Sequence, residues 1–209
     1  ISSFIKDSPR VISYKCDVTD ISSVNYSIEK IFEELGYINI LVNNAGLMSS
    51  EPLINLLSPS DKKHSINNWN KTLDVNLNSV FYVTRIIVEK LIEKRQKGVI
   101  INMSSISANG NAGQSAYSAA KAGVEALTKV WAKELAVHKI RSVAVAPGFF
   151  ATRSTGKALN KKVLNEKVKQ IPNGTLGDPT DLYHCLKMII ENEYINGTVI
   201  RLDGGFSGD

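Results

Sequence analysis

A regular alternation of short β-rich runs with longer helical patterns constrains the fold of this chain more than any other feature. The runs are apolar along their length, which indicates strands buried on both faces of a sheet. Strands that alternate with helices pair in parallel through right-handed crossovers, so we predict a three-layer α/β fold. The predicted strands are 11–18, 38–46, 98–105, 140–148 and 197–205, and the predicted helices are 20–36, 68–97, 114–137, 157–170 and 179–192.

Composition excludes several classes of protein. The 209 residues are 43% hydrophobic and 22% charged, which suits one globular domain over residues 1–209. The net charge of +5 comes from basic residues mixed with acidic ones, so a nucleic-acid partner is not indicated. No apolar run approaches the ~20 residues that cross a bilayer, and the first ten residues do not resemble a signal peptide. We therefore expect a cytoplasmic protein with no membrane partner.

The two cysteines do not indicate a metal site. Cys16 and Cys185 lie far apart in the sequence, and neither has neighbours with metal-ligand spacing. We expect reduced thiols packed within the fold and no bound metal.

Tyr117 and Lys121 lie four residues apart in a helical pattern, so their side chains share one helix face. The same spacing occurs at Tyr26 with Lys30 and at Tyr183 with Lys187. The spacing alone therefore identifies no site, and the surroundings must decide.

The carboxyl ends of the predicted strands are unusually small and polar, and this is where open parallel sheets bind ligands. The segments are CDV (16–18), NNAG (43–46), NMSS (102–105) and APGFFAT (146–152). The polar segment 48–68 follows one of these ends, and such a loop either carries ligand contacts or is a plain insertion.

Seven motifs in order give the chain a resemblance to the short-chain dehydrogenase/reductase family over residues 11–206. They are CDV, NNAG, DVNL, NMSSIS, YSAAK, APGFFAT and LDGG. The resemblance implies a Rossmann-type, doubly wound parallel sheet and an oxidoreductase that uses NADP or NAD, with NADPH slightly preferred. Only Tyr117 and Lys121, among the three pairs, have the serine motif just upstream and the DVNL asparagine before that.

The resemblance also implies catalytic roles. Tyr117 donates a proton to a substrate carbonyl, Ser105 hydrogen-bonds the same oxygen, and Asn76 binds a water that links Lys121 to solvent. Lys121 holds the nicotinamide ribose, and its ammonium would lower the pKa of the Tyr117 phenol.

The cofactor contacts implied by the resemblance fall at the strand ends. The adenine is expected at Asp17 and Val18, the adenosine ribose at Asn44, Ala45 and Gly46, and the nicotinamide at Pro147, Gly148, Phe150 and Thr152, besides Tyr117 and Lys121. For Phe150 core packing is an equal alternative.

The serine assignment leaves alternatives. Ser105 fits the motif but lies 12 residues before Tyr117, whereas the commonest family spacing is 13 and selects Ser104. Strand alternation directs the two side chains to opposite sides, so only one of them can face the tyrosine. We favour Ser105, and Ser107 is a third candidate.

The family's Gly-rich turn, T-G-x-x-x-G-x-G, is absent from the sequence. We interpret the sequence as an N-terminally incomplete record of a longer chain whose first two strands and pyrophosphate-binding turn lie outside it.

Within the family, the motifs resemble most closely those of 3-oxoacyl-[acyl-carrier-protein] reductases. A 3-oxoacyl thioester, either a small molecule or bound to acyl carrier protein, is therefore the expected substrate. The alternatives are a dehydrogenase of a steroid, sugar or polyol and a catalytically silent subunit.

Two surface features bear on partners. The resemblance implies a homodimer or homotetramer built on helix 114–135, whose small residues Ala119, Gly123 and Ala126 would admit a second helix. Basic residues close two successive helices and could bind an acidic carrier protein or simply favour helix C-termini; they are Lys94, Arg95, Lys97, His138, Lys139 and Arg141.

Overall fold

The computed structural model describes residues 11–152 and 161–206. Within them four parallel strands form one sheet in the order β1-β2-β3-β4. The strands are β1 (Ile40–Asn43), β2 (Gly98–Met103), β3 (Ile140–Pro147) and β4 (Val199–Leu202). The helices are α1 (Ile21–Leu35), α2 (Ile66–Leu73), α3 (Ser79–Glu93), α4 (Ser115–Glu134), α5 (Lys161–Gln170) and α6 (Pro179–Glu191).

The helix ends follow from local sequence. The carboxylate of Asp20 accepts a hydrogen bond from the Ser22 amide at the start of α1, and Gly36, at φ 75°, ends that helix. Pro179 opens α6, and Asp178 and Asp181 form a reciprocal capping box there. These ends confirm the helices predicted at 20–36 and 179–192.

Side chains alternate between the two faces of β2. Ile100 packs with the apolar faces of α1 and α3. Val99, Ile101 and Met103 pack instead against α6. Because both faces of the central strands are covered by helices, the predicted three-layer α/β architecture with a parallel sheet is confirmed.

The predicted helix 68–97 is three consecutive pieces. The π-helical turn Asp74–Asn78 joins α2 to α3, and it contains the DVNL motif. A π turn inserts one residue into the helical repeat and commonly marks a functional position.

The prediction of a strand at 11–18 is wrong for the described chain. A strand is held by backbone hydrogen bonds to a neighbour, and none of the four described strands pairs with this segment. Val11 and Ile12 are exposed, whereas Cys16 packs against the same apolar cluster as Leu41 of β1.

Other expectations are not tested by this fold. The start of the helix predicted at 157–170 lies outside the described residues, which resume at Lys161. The single-domain assignment over 1–209 stays a prediction. No helix in residues 11–152 or 161–206 is both long and apolar enough to cross a bilayer.

Candidate active site

Two buried asparagines form a polar platform at the carboxyl ends of β1 and β2. Asn43 and Asn102 are paired in the sheet register, and the Asn43 amide donates to the Asn102 side-chain oxygen over 2.8 Å. Asn43 also donates to Thr84 of α3, and Asn102 donates to Thr128 of α4, each over 2.9 Å. The sequence analysis assigned no role to these asparagines, although two polar residues at the ends of neighbouring strands could have indicated a contact between them.

The π turn places the Asn76 side chain against the loop that leaves β1. Asn76 is fully buried, donates to the backbone oxygens of Leu47 (2.8 Å) and Thr72 (2.9 Å), and accepts from the Leu47 amide. The side chain thus fixes the backbone just after Gly46. The water relay through Asn76 stays a prediction.

The two serines that follow β2 point in different directions. The Ser105 hydroxyl lies on the side of the Tyr117 phenol, close enough to lower the pKa of that phenol. The Ser104 hydroxyl is buried and donates to the Glu125 carboxylate over 2.8 Å. Alternation at the strand end therefore directs Ser104 to Glu125 and leaves Ser105 on the side of Tyr117.

Ser107, the third candidate, also faces away from the phenol. Its hydroxyl donates to Gln114 Oε1 over 2.9 Å, and its backbone amide donates to the Ser105 hydroxyl over 3.1 Å. The Ser107 amide thus helps to fix the orientation of the Ser105 hydroxyl.

Lys121 is buried between α4 and β2. Its Nζ donates to the Met103 backbone oxygen over 2.7 Å and lies 5.7 Å from the centroid of the Tyr117 ring. Burial penalises the ammonium and lowers the pKa of Lys121 from 10.5 to about 8. Its proton can therefore exchange near neutral pH.

Comparisons with known proteins agree with this arrangement. A family profile described as "Enoyl-(Acyl carrier protein) reductase" matches residues 2–207. The chain is 38% identical, over 199 residues, to the 3-oxoacyl-[acyl-carrier-protein] reductase of Thermotoga maritima, covering 94% of this chain and 77% of that protein. The chain belongs to the short-chain dehydrogenase/reductase family.

Two further similarities are to a human enzyme and to a solved crystal structure. The human 3-hydroxyacyl-CoA dehydrogenase type-2 is 36% identical over 195 residues, which cover 90% of this chain and 74% of that one. The crystal structure of a short chain dehydrogenase from Bacillus anthracis superposes with a TM-score of 0.86 at 31% identity, covering 100% of this chain and 80% of that chain.

The Tyr117 phenol departs from the expectation that Lys121 would lower its pKa. Burial raises the pKa of Tyr117 above its ordinary value, and the hydrogen bond from Ser105 acts in the opposite direction but is the smaller cause. The Lys121 ammonium is directed at the Met103 carbonyl, so the expected lowering is not the net effect here. The phenol stays protonated at neutral pH.

The residues expected to hold a cofactor in this short-chain dehydrogenase/reductase lie mostly at the rim of the sheet. Asn44, Ala45 and Gly46 are exposed just beyond β1. Asp17 is exposed and Val18 half-buried in the turn before α1, where the Asp17 carboxylate accepts from the Thr19 amide and hydroxyl and its pKa is lowered by these bonds.

The β3 end is shaped by a close backbone approach. Pro147 pairs with Leu202 in the sheet register, and the next residue, Gly148, lies against Asp203. A Cβ on Gly148 would lie 2.7 Å from the Asp203 Cβ, so only glycine fits. Thr152 is exposed and is the last residue described before the gap.

For Phe150 the packing alternative is the one observed. Its ring is buried against Gly177, where a Cβ would lie 2.8 Å from the ring. With Phe149 the ring lines a cavity of ≈ 510 Å³ between α6 and the ends of β3 and β4. The Phe150 ring therefore packs in the core beside α6.

Proposed function

We propose that the chain is an NAD(P)H-dependent oxidoreductase that reduces the carbonyl of a 3-oxoacyl thioester to a hydroxyl. The observation that carries the proposal is the placement of the Ser105 hydroxyl and the buried Lys121 on either side of the partly buried Tyr117, with Lys121 Nζ 5.7 Å from the Tyr117 ring centroid. The substrate class is supported by the names of two relatives, a 3-oxoacyl-[acyl-carrier-protein] reductase and a 3-hydroxyacyl-CoA dehydrogenase.

Tyr117 donates its hydroxyl proton to the carbonyl oxygen, and Ser105 donates a hydrogen bond to the same oxygen. Two donors placed before the reaction stabilise the negative charge that develops there. Lys121, whose pKa of about 8 lies close to neutral, returns a proton to Tyr117. Asn76 holds the backbone beside this path through its bonds to Leu47.

A bound NADPH or NADH supplies the hydride. The fit is supported at Gly46, where a Cβ would lie 3.1 Å from Asn76 Oδ1 and 3.9 Å from Lys121 Nζ, so the missing side chain leaves room beside the lysine. The residues that would hold the cofactor are Asp17, Val18, Asn44, Ala45, Gly46, Tyr117, Lys121, Pro147, Gly148 and Thr152. For Phe150 only backbone contact is proposed. We expect NADPH to bind somewhat more tightly than NADH.

The test is a titration with each cofactor followed by a turnover assay. Purified protein is titrated with NADPH and NADH by nucleotide fluorescence and then mixed with acetoacetyl thioesters of coenzyme A and of acyl carrier protein. We expect cofactor binding and loss of the reduced-nicotinamide absorbance, with Tyr117→Phe as the inactive control. Binding without turnover of either thioester would favour a steroid, sugar or polyol substrate, and absence of binding would favour a silent subunit.

A two-fold dimer on α3 and α4 is part of the proposal. Ala119, Ala122 and Ala126 are exposed along α4, and Phe81 of α3 is 48% exposed. Gly123, expected on the same stripe, is used within the chain instead, since a Cβ there would lie 3.0 Å from the Leu77 side chain. Sedimentation of a monomer at micromolar concentration would contradict the dimer.

The basic helix ends lie at the opposite end of the sheet from Tyr117. About 26 Å of α4 separates Tyr117 from the end of that helix. A carrier protein docked there could not serve the Tyr117 of the same protomer. In a two-fold dimer with antiparallel α4 helices, however, this end would lie beside Tyr117 of the second protomer.

Only part of the basic cluster is available for docking. Lys97 pairs with Glu193, and Arg141 donates to the backbone oxygens of Ile195 and Ile190. Arg95 and Lys139 are exposed, so their charge reversal should raise KM for a carrier-bound substrate and leave a short thioester unaffected. Equal effects on both substrates would remove the carrier-protein surface from the proposal.

A further inference from the structure

The loop between β1 and α2 is organised around one carboxylate. Glu51 Oε1 accepts from the Ser65 amide over 2.8 Å, and Oε2 accepts from the Asn68 side-chain amide over 2.6 Å. The Glu51 backbone oxygen contacts His64 Nδ1 over 2.9 Å. These bonds fold residues 51–65 back on themselves and attach them to the first turn of α2. The Ser65 and Asn68 bonds also lower the pKa of Glu51, so it is ionised at neutral pH.

The same residue attaches the loop to the segment that opens α4. The Glu51 amide donates to the Gly113 backbone oxygen over 2.7 Å, and Glu51 and Gln114 form an isolated parallel β-bridge. The Gln114 side chain donates to the Ser50 hydroxyl over 3.2 Å. Gln114 directly precedes α4 and lies three residues before Tyr117.

Gln114 extends this contact to the Ser105 turn. Its side-chain oxygen accepts from the Ser107 hydroxyl over 2.9 Å, and the Ser107 amide donates to the Ser105 hydroxyl over 3.1 Å. Glu51 is thus connected to Ser105 by its backbone bond to Gly113, the covalent link from Gly113 to Gln114, and the hydrogen bonds that pass through Ser107. Gln114 also starts the α4 backbone that carries Tyr117, because the Ser118 amide donates to the Gln114 backbone oxygen over 2.8 Å.

We infer that Glu51 is a positioning residue: its carboxylate holds the 51–65 loop together, its backbone amide attaches that loop to Gly113, and the loop thereby sets the placement of the Tyr117 phenol relative to the Ser105 hydroxyl. Glu51 acts through the start of α4 and has no part in the proton path itself. The expected effect on kcat rests on the proposed function, whereas the expected effect on the order of residues 113–118 does not. Catalytic geometry is sensitive at this scale, because a displacement of about 1 Å can cost a large factor in rate.

The variants are Glu51→Ala, which removes both carboxylate acceptors, and Glu51→Gln, which keeps one. Asp61→Asn is the matched control, since Asp61 is an exposed carboxylate in the same loop that contacts only Lys63 among the bonds described. Backbone amide hydrogen exchange is measured at 113–118 and at β3 as an internal reference. We expect Glu51→Ala to speed exchange at 113–118 roughly tenfold and to leave β3 unchanged, with Glu51→Gln intermediate.

Kinetics with the thioester substrate supply the second readout. We expect kcat of Glu51→Ala to fall on the order of tenfold, with cofactor Kd unchanged, because the donors are misaligned while the cofactor rim is intact. The alkaline limb of kcat should move to higher pH, since a looser Ser105 contact withdraws a bond that lowers the pKa of Tyr117. A change that only destabilised the fold would not shift the alkaline limb of kcat, and it would not lower kcat while leaving the cofactor Kd unchanged.

Each outcome decides one question. Unchanged exchange at 113–118 in Glu51→Ala overturns the inference whatever the substrate. Faster exchange with unchanged kcat and pH profile also overturns it, because the loop would then be held without effect on Tyr117. If the wild type turns over no thioester, the proposed function fails, and the exchange result alone decides whether Glu51 holds the start of α4.

Discussion

Replacing Lys121 with methionine should change how the stability of the protein depends on pH. The pKa of Lys121 is lowered from 10.5 to about 8 by burial, and the side chain is well enclosed between α4 and β2. That interval corresponds to roughly 3 kcal/mol of unfavourable free energy when the ammonium is held in the fold at neutral pH. Methionine fills a similar volume without charge.

The sign follows from proton binding. Between pH 8 and 10.5 the unfolded chain holds the Lys121 proton and the folded chain has lost it, so stability rises with pH through this window. The wild type should therefore gain on the order of 2 to 3 kcal/mol relative to Lys121→Met between pH 7 and pH 10. At pH 7 the absolute difference is a poor test, because the variant also leaves the Met103 carbonyl without its donor, at a cost of about 1–3 kcal/mol.

The assay is urea unfolding of both proteins, without added cofactor, at half-unit steps from pH 7 to pH 10. Tyr117 titrates in both proteins, so its effect cancels from the difference. Parallel curves of unfolding free energy against pH would refute the reasoning, since they would mean that Lys121 keeps an ordinary pKa in the fold. Lys121→Arg stays charged over this pH range, so its unfolding free energy should also lack the rise with pH expected for the wild type.

The remaining predictions concern the site and its scaffold. Tyr117→Phe should abolish carbonyl reduction and leave the far-UV circular dichroism unchanged, because it removes the proton donor at nearly constant volume; near-normal turnover would end its assignment. Ser105→Ala should lower kcat by about 10- to 1000-fold and Ser104→Ala by much less, as steady-state kinetics would show; the reverse order would favour the 13-residue spacing. Gly148→Ala should lower the free energy of unfolding by about 1–3 kcal/mol, and with it the urea midpoint, because the new Cβ meets Asp203; an unchanged midpoint would show that the backbone at Asp203 shifts easily.

The layers of the fold could be predicted because burial on both faces leaves a simple trace in the sequence. β2 and β3 are mostly apolar, with Asn102, Arg141 and Ser142 as the polar exceptions, and every residue of β2 after Gly98 is buried. The segment 11–18, predicted as a strand, also contains apolar residues, but a strand needs a hydrogen-bonded neighbour as well, and composition says nothing about neighbours. The sequence pattern therefore could not predict which segments pair as neighbouring strands in the sheet.

The candidate site shows the same division. The motifs bring Ser105, Tyr117, Lys121 and Asn76 into one region because they follow strand ends or lie on helices beside them. The contacts that fix their orientation come from side chains distant in sequence, such as Glu51, with no motif of their own. A pattern of residues thus identifies which groups meet, while packing decides which serine faces the phenol.

Two of the three Tyr-Lys pairs show this difference between spacing and surroundings. Lys30 lies 6.0 Å from the centroid of the Tyr26 ring, and Lys121 lies 5.7 Å from that of Tyr117, so identical spacing produces nearly identical geometry. Their electrostatics are opposite. Tyr26 is 62% exposed, and the carboxylate of Glu33 raises the pKa of Lys30, whereas burial lowers that of Lys121 to about 8. The helix brings both of these pairs together, but of the two lysines it is Lys121, enclosed by the sheet, that can exchange its proton near neutral pH.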